Sequence, residues 1–228
     1  MAVKPSIAWV VTTDGRKEFI EAAMPTWHDL TGNVIARIIV DDSGDPAYRE
    51  WLRATYGGAD IVHVGGDRMG YNAAMKRMRE VGLATGADYI FHLEDDFKLM
   101  RPLDLDDLTS VMESNPMLAQ MALVRGPWYH NEVAHGGMIQ ALKAQGCAFT
   151  ECGWGGTYWI EHRAVWTANP SVFPKKIAMR HYPDGDWSES AFMRDIRETT
   201  RFKCAYWGRM TDEPMVDHIG TYKMGTGY

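Results

Sequence analysis

Three times in its first ninety residues this chain repeats one pattern: an apolar run of strand length, a polar turn carrying Asp or Gly, then residues at helical spacing. The first run covers residues 6–13 and ends in Thr12-Thr13-Asp14-Gly15. A helical segment over 16–30 follows, with Pro25 placed to break or kink it. The second run covers 34–40 and ends in Asp41-Asp42-Ser43-Gly44-Asp45. There Asp45 is set to cap a helix that Pro46 opens and that runs to Tyr56. The third is the short Ile61-Val62-His63-Val64, followed by Gly65-Gly66-Asp67. A helix over 70–83 then carries Tyr71, Ala74, Met78 and Val81 on one face. Unbroken apolar strands alternating with helices belong to parallel sheets covered on both sides. The expected fold class is therefore α/β, with a mainly parallel central sheet, helices on both faces and a single domain.

A fourth run, Tyr89-Ile90-Phe91-His92-Leu93, ends in three consecutive carboxylates, Glu94-Asp95-Asp96. Like charges this close repel by about 1 kcal/mol or more per pair at low effective dielectric. A solvated turn relieves that repulsion, and so does a cation. In an open α/β sheet ligands bind beyond the carboxyl ends of the strands, and hard oxygen donors suit Mg²⁺ or Mn²⁺.

The second half is less regular. A helix is expected over 104–113, a strand over 118–124, and a long loop rich in Gly and aromatic residues over 127–156. A strand over 157–160, a short helix over 163–168, a longer helix over 187–197 and a late strand over 202–207 complete the pattern. The tail, 223–228, reads as a mobile end or a lid.

A net charge of −6 disfavours a chain whose main business is coating nucleic acid. Cys147, Cys152 and Cys204 are few, odd in number and without a Cys-x-x-Cys pair, so neither a disulfide framework nor a structural zinc site is expected. No apolar run nears the roughly 20 residues of a membrane span, and residues 1–5 show no signal-peptide pattern. A soluble, cytoplasmic protein is the expectation. Nine Trp and ten Tyr serve cores, interfaces and sugar-stacking platforms alike.

Taken in order, four pieces resemble the GT-A glycosyltransferases, and among them the small inverting enzymes similar to glycosyltransferase family 2, of bacterial or bacteriophage type. They are the turn at Val11-Thr12-Thr13, the strand end Ile39-Val40-Asp41-Asp42-Ser43-Gly44, the helix start Met69-Gly70-Tyr71-Asn72-Ala73-Ala74, and Glu94-Asp95-Asp96 at the family's Asp-x-Asp position. The resemblance is clear over residues 6–100 and scattered beyond.

It implies a nucleotide-binding half over 1–100 and an acceptor-binding half over 101–228. It implies a nucleotide-diphosphate sugar as donor, Mn²⁺ or Mg²⁺ as cofactor, and Asp96 as the direct metal ligand. His218, in Val216-Asp217-His218-Ile219-Gly220, resembles the His-Ile-Gly element that completes the metal site. Glu94 would lie near ribose or a metal-bound water, with Asp95 beside it. Asp41 or Asp42 would meet base or ribose, Asn72 and Gly70 ribose or phosphate, and Arg68 phosphate; Thr12 and Thr13 line the same edge. Asp184-Gly185-Asp186-Trp187-Ser188-Glu189 resembles the helix start that supplies the catalytic base, Glu189 first and Asp186 second. Asp186 as a cap with Glu189 as its capping-box partner is the structural alternative. In Cys152-Gly153-Trp154-Gly155-Gly156-Thr157, the glycines would let backbone approach the donor sugar while Trp154 stacks on it; plugging the core is the alternative for Trp154.

The expected activity is a metal-dependent, inverting hexosyltransferase-like glycosyl transfer to an acceptor hydroxyl, with protein, glycan and DNA base all open as acceptors. A nucleotidyltransferase of related fold is the alternative enzyme, although Thr12-Thr13-Asp14-Gly15-Arg16-Lys17 is short and acidic for its phosphate loop. A non-catalytic nucleotide-sugar or carbohydrate binder is the alternative from another class.

Overall fold

The computed structural model describes residues 4–58, 61–185 and 187–220. The first half alternates as expected: β1 (Ile7–Thr13), α1 (Lys17–Ala23), β2 (Leu30–Thr31), β3 (Val34–Asp41), α2 (Pro46–Tyr56), β4 (Ile61–Gly65), α3 (Tyr71–Ala84) and β5 (Tyr89–Glu94). Pro25 does end α1, and a 3-10 turn over Met24–Asp29 takes its place. Asp45 caps α2 through the Ala47 amide at 2.8 Å, with Pro46 at the first helical position. Then come β6 (Phe97–Leu99), β7 (Leu103–Asp104), α4 (Leu105–Ser114), β8 (Leu118–Leu123), α5 (His130–His135), α6 (Met138–Ala144), β9 (Phe149–Trp154) and β10 (Thr157–His162). The chain ends in β11 (Ser171–Pro174), α7 (Lys175–Ala178), α8 (Ser188–Thr199), β12 (Lys203–Trp207) and β13 (Val216–His218).

Nine strands form one sheet in the order β4-β3-β1-β5-β11-β8-β12-β10-β9. Pairing is parallel from β4 through β5 and between β8 and β12, and antiparallel where β11 or β10 takes part. Seven strands thus run one way and two, β10 and β11, the other (7 + 2 = 9). This is a mixed α/β domain with a mostly parallel sheet.

Alternation along β1 divides the core between the two faces. Ile7, Trp9 and Val11 join Phe91 and Leu93 of β5, Leu52 of α2 and Leu105, Leu108 and Met112 of α4. Ala8 and Val10 face the other way, onto Met75 and Met78 of α3, Ile177 of α7 and Phe192 and Ile196 of α8. Both sides being covered explains the unbroken apolar runs. Each large side chain sealed here, such as fully buried Phe91, contributes about 1.5–3 kcal/mol relative to exposure.

The second half departs from its expected pattern in two places. Residues 127–156, read as one long loop, hold α5, α6 and β9. Residues 163–168, read as a short helix, form no helix; Trp166 and Ala168 are buried there and lead into β11, where Ser171 to Pro174 pair with β5. Tertiary pairing overrides weak local propensity in short segments of this kind.

Candidate functional site

Register brings the expected strand ends level. Thr13 pairs across to Asp41 and Thr12 to Glu94, so β1, β3 and β5 deliver their polar ends to one edge. This is the edge where open α/β sheets bind ligands.

At its centre Asp95 and Asp96 turn between β5 and β6. Arg16, just before α1, bridges the cluster. Its guanidinium meets Asp14 at 2.6 Å, Asp96 at 2.6 Å and Asp95 as well. Part of the relief from carboxylate repulsion thus comes from this side chain, beside any from solvent or a cation. Asp95 is 1% exposed and also accepts from the Thr13 hydroxyl at 2.6 Å. Burial pushes its carboxyl up to about 7, against the pull of Arg16. Thr12 is likewise committed inward, to His92 Nε2 at 3.0 Å. Thr12, Thr13 and Asp95 are therefore buried and bonded within the fold at this edge.

Asp96 stands differently. Its Oδ2 meets Arg16 and lies 3.2 Å from His218 Nε2, while its buried Oδ1 has no hydrogen-bond partner. Burial raises the Asp96 carboxyl, but the His218 and Arg16 contacts outweigh it and hold the group below its ordinary value. His218 is stacked on Phe97, ring centroids 4.5 Å apart, with Trp128 on its other side at 3.9 Å. The chain can pass this pair because residue 220 is glycine: a Cβ there would sit 2.2 Å from Asp96 Oδ2 and 3.0 Å from His218 Nε2.

Among the described residues no cluster of three or more His, Cys, Asp and Glu side chains is arranged to hold a metal. Mg²⁺ and Mn²⁺ sites commonly use one or two protein ligands and complete their shell with substrate phosphates and water. The orphaned Asp96 oxygen and the imidazole beside it fit such a partial site. Arg68 lies 3.6 Å from Asp14, so two guanidiniums, Arg16 and Arg68, stand at an edge that carries four acidic side chains, Asp14, Glu94, Asp95 and Asp96.

The motif at β3 does a different job from the one expected. Asp41 accepts from the Ser43 amide at 2.9 Å and from Arg49 Nε at 3.1 Å. Asp42 takes the amides of Met69 and Gly70, at 2.9 and 2.8 Å, one on each oxygen. Both are 4% exposed. They set the turn after β3 and the start of α3, the turn and helix-capping role that is the structural alternative to meeting base or ribose. Asn72 Nδ2 in turn donates to the Gly185 carbonyl at 2.7 Å, tying α3 to the approach to α8.

That approach carries Glu189, in the first turn of α8. One carboxylate oxygen accepts the Tyr71 hydroxyl and the other the Ala168 amide at 3.2 Å. The cap residue of α8 is Trp187, and Glu189 is engaged with Tyr71 and Ala168 instead of closing a capping box. Burial pushes the Glu189 carboxyl up, its two donors pulling the other way. Glu94 is raised too, by burial first and then by Asp96 and Glu189. Asp186 and the tail 223–228 lie outside the described residues.

Glu94, Glu189 and His218 open on one cleft of about 470 Å³. Its other wall was missed by sequence reasoning. Arg125, after β8, and Glu132 of α5 form a buried bidentate pair at 2.6 and 2.8 Å. The signal was an Arg and a Glu seven residues apart around Gly126-Pro127, masked by reading that stretch as a loop.

Trp154, Gly155 and Gly156 are not in this cleft. Trp154 pairs with Thr157, leaving the two glycines, both at positive φ (59° and 89°), as the turn of the β9–β10 hairpin. β9 is the sheet edge, five strands from β5, or about 24 Å at a ~4.8 Å spacing. Trp154 is 74% exposed there, which corrects its core-plug reading and sets it apart from this cleft.

The fold and the strand-end carboxylates define a mixed α/β domain with a charged, solvent-reaching edge site. No family model matches this chain, and no curated protein matches its sequence. Among solved structures, a CMP:2-keto-3-deoxy-manno-octonic acid synthetase complexed with CTP is 13% identical over 88% of this chain and 88% of that one, with a TM-score of 0.53. The mannosyltransferase PcManGT from Pyrobaculum calidifontis, in complex with GDP-Man and Mn²⁺, is 14% identical over 55% of this chain, with a TM-score of 0.44. The match spans only 37% of that mannosyltransferase. At these identities what is shared with the synthetase is the fold. No helix among the described residues is long and apolar enough to cross a membrane.

Proposed function

We propose that this chain is a metal-dependent glycosyltransferase that moves a sugar from a nucleotide-diphosphate donor to an acceptor hydroxyl with inversion. The observation that carries the reading is that Glu189, a carboxylate raised by burial, shares one cleft with His218, the partner of the half-satisfied Asp96. Asp96 and His218 would hold Mn²⁺ or Mg²⁺, which when bound neutralises the diphosphate as the sugar–phosphate bond weakens. Arg68, 48% exposed, adds a guanidinium at the same edge. Gly70 and Asn72 open α3, whose first turn presents the positive end of the helix dipole.

Glu189 takes the proton from the acceptor hydroxyl as that oxygen bonds to the anomeric carbon from the face opposite the leaving group. The carbon–oxygen bond to the diphosphate breaks, and its electron pair leaves on the diphosphate oxygen. A base of raised affinity for protons suits this work near neutral pH.

The test is a panel of nucleotide-diphosphate sugars with Mn²⁺. A donor at 100 times its dissociation constant stabilises the fold by about 2.7 kcal/mol, readable as a thermal shift, and is slowly hydrolysed. Asp96→Ala loses both the shift and the hydrolysis; Glu189→Gln keeps the shift and loses turnover. A panel without any shift, or an active Glu189→Gln protein, overturns the reading.

A further inference from the structure

The wall of the cleft opposite the acidic tip has a composition that selects its occupant. Five aromatic side chains border the cleft; Phe97, Trp166 and Tyr206 are buried and form its base, while half-buried Trp128 and exposed Tyr129 are the two that can offer a surface to a ligand. Its acidic groups are Glu94, Glu132 and Glu189, against the one guanidinium of Arg125. The single guanidinium is spent: Arg125 gives two bonds to Glu132 and one to the Gly126 carbonyl at 3.0 Å. A polyanion entering here would meet carboxylates and no unengaged cation, whereas nucleic-acid sites rely on Lys and Arg at the phosphates.

The Arg125–Glu132 pair is also built to hold the wall. Glu132 Oε2 accepts the amides of Trp128 and Tyr129 at 2.7 and 3.1 Å, and the Arg125 guanidinium sits 5.6 Å from the Tyr129 ring centre. A buried ion pair is poor evidence of stability, because desolvating two charges offsets their attraction. One that fixes the backbone of two adjacent aromatic residues preorganises a binding surface instead.

We infer that this aromatic wall is the acceptor subsite and that its occupant is an uncharged sugar, held by ring stacking and by hydroxyl bonds to the cleft carboxylates, with Glu132 as a positioning residue. The inference rests on the transferase reading for the word acceptor. The chemistry is complementary on its own terms. Aromatic faces take the C–H face of a pyranose, carboxyl groups exchange hydrogen bonds with hydroxyls in either protonation state, and about 470 Å³ lies within the range of small-ligand sites.

The test uses saturation-transfer NMR on the full chain with three probe sets: uncharged methyl glycosides and disaccharides of glucose, galactose, mannose and N-acetylglucosamine; a single-stranded decadeoxynucleotide; and an acidic serine-containing decapeptide. At least one sugar is expected to show transfer. Trp128→Ala should weaken it tenfold or more, and Trp128→Phe should keep most of it. Glu132→Gln should weaken it too, while circular dichroism melting confirms that each variant is folded. Transfer to the oligonucleotide or the peptide in place of every sugar overturns the inference, as does sugar binding that survives Trp128→Ala, or the absence of binding by any sugar. Nucleotide binding with Mn²⁺ is measured on the same samples. Donor hydrolysis without sugar binding sinks this inference alone, whereas sugar binding without any nucleotide binding sinks the transferase reading and leaves the subsite standing.

Discussion

The Tyr71 hydroxyl donates to the Glu189 carboxylate, joining the first residue of α3 to the first turn of α8 across 118 positions of sequence. Asp42 fixes where Tyr71 stands, through the Met69 and Gly70 amides, and Asn72 anchors the same turn to Gly185. A motif that resembles a donor-binding element thus orients the proposed base.

Tyr71→Phe should separate positioning from mere stability. The hydrogen bond favours the charged carboxylate, so its loss raises the proton affinity of Glu189 further. The acid limb of the kcat profile is expected to move to higher pH, with activity falling more at pH 6 than at pH 8. The folded state should lose about 1 kcal/mol in urea denaturation. An unmoved acid limb would show that Tyr71 only packs.

Arg16→Gln should be among the most damaging single changes outside the core. It leaves Asp14, Asp95 and Asp96 facing one another without their shared cation. Removing one partner of a buried charge cluster costs about 3 kcal/mol or more. The loss, read by urea denaturation, should be larger at pH 9 than at pH 7: Arg16 holds the Asp95 carboxyl down to about 7, and without it Asp95 keeps its proton to higher pH, so the variant goes on losing stability where the wild type no longer does. A loss that does not vary with pH would place the cost elsewhere.

Glu94→Gln should make the protein more stable at alkaline pH. Burial, with Asp96 and Glu189 alongside, holds the folded Glu94 carboxyl above its ordinary 4.5. Below that value the group is protonated in both folded and unfolded chains and contributes no pH-dependent cost. Above it the folded chain binds the extra proton, so stability falls as pH rises through the interval. The variant's advantage in melting temperature should therefore be small at pH 4 and grow toward pH 8. An advantage that shrinks with rising pH would contradict the sign.

Gly220→Ala probes the pair at the tip without touching a charge. The added methyl must displace Asp96 or His218, since no room exists at 2.2 Å. Loss of Mn²⁺-dependent thermal shift is expected with only a modest change in the melting temperature of the metal-free protein.

How far the sequence could be read follows from how locally each feature is encoded. The strands over residues 6–94 announce themselves because both of their faces are buried, as Ile7 and Ala8 show by facing opposite cores. Asp45 and Pro46 mark the start of α2 with two residues. The Arg125–Glu132 pair carried no such mark, since its meaning depends on α5 turning back onto the end of β8. The Asp41-Asp42 turn was legible as a motif and not as a role: whether a strand-end carboxylate meets a ligand or its own backbone is settled by the turn that follows it. Trp154 was assigned on residue type, and only the strand order places it at the sheet edge.

Arg16 has a bearing on when a cation would be needed. A tip whose carboxylates share a guanidinium held in the fold does not depend on dissolved metal to stay assembled. Under the proposed activity, the protein would wait with its acidic turn already tied together, and Mn²⁺ or Mg²⁺ would arrive as a companion of the diphosphate and depart with it. The ion would then behave as half of the substrate, gaining its affinity from the phosphates it accompanies, and chelators would slow the chemistry without loosening the protein.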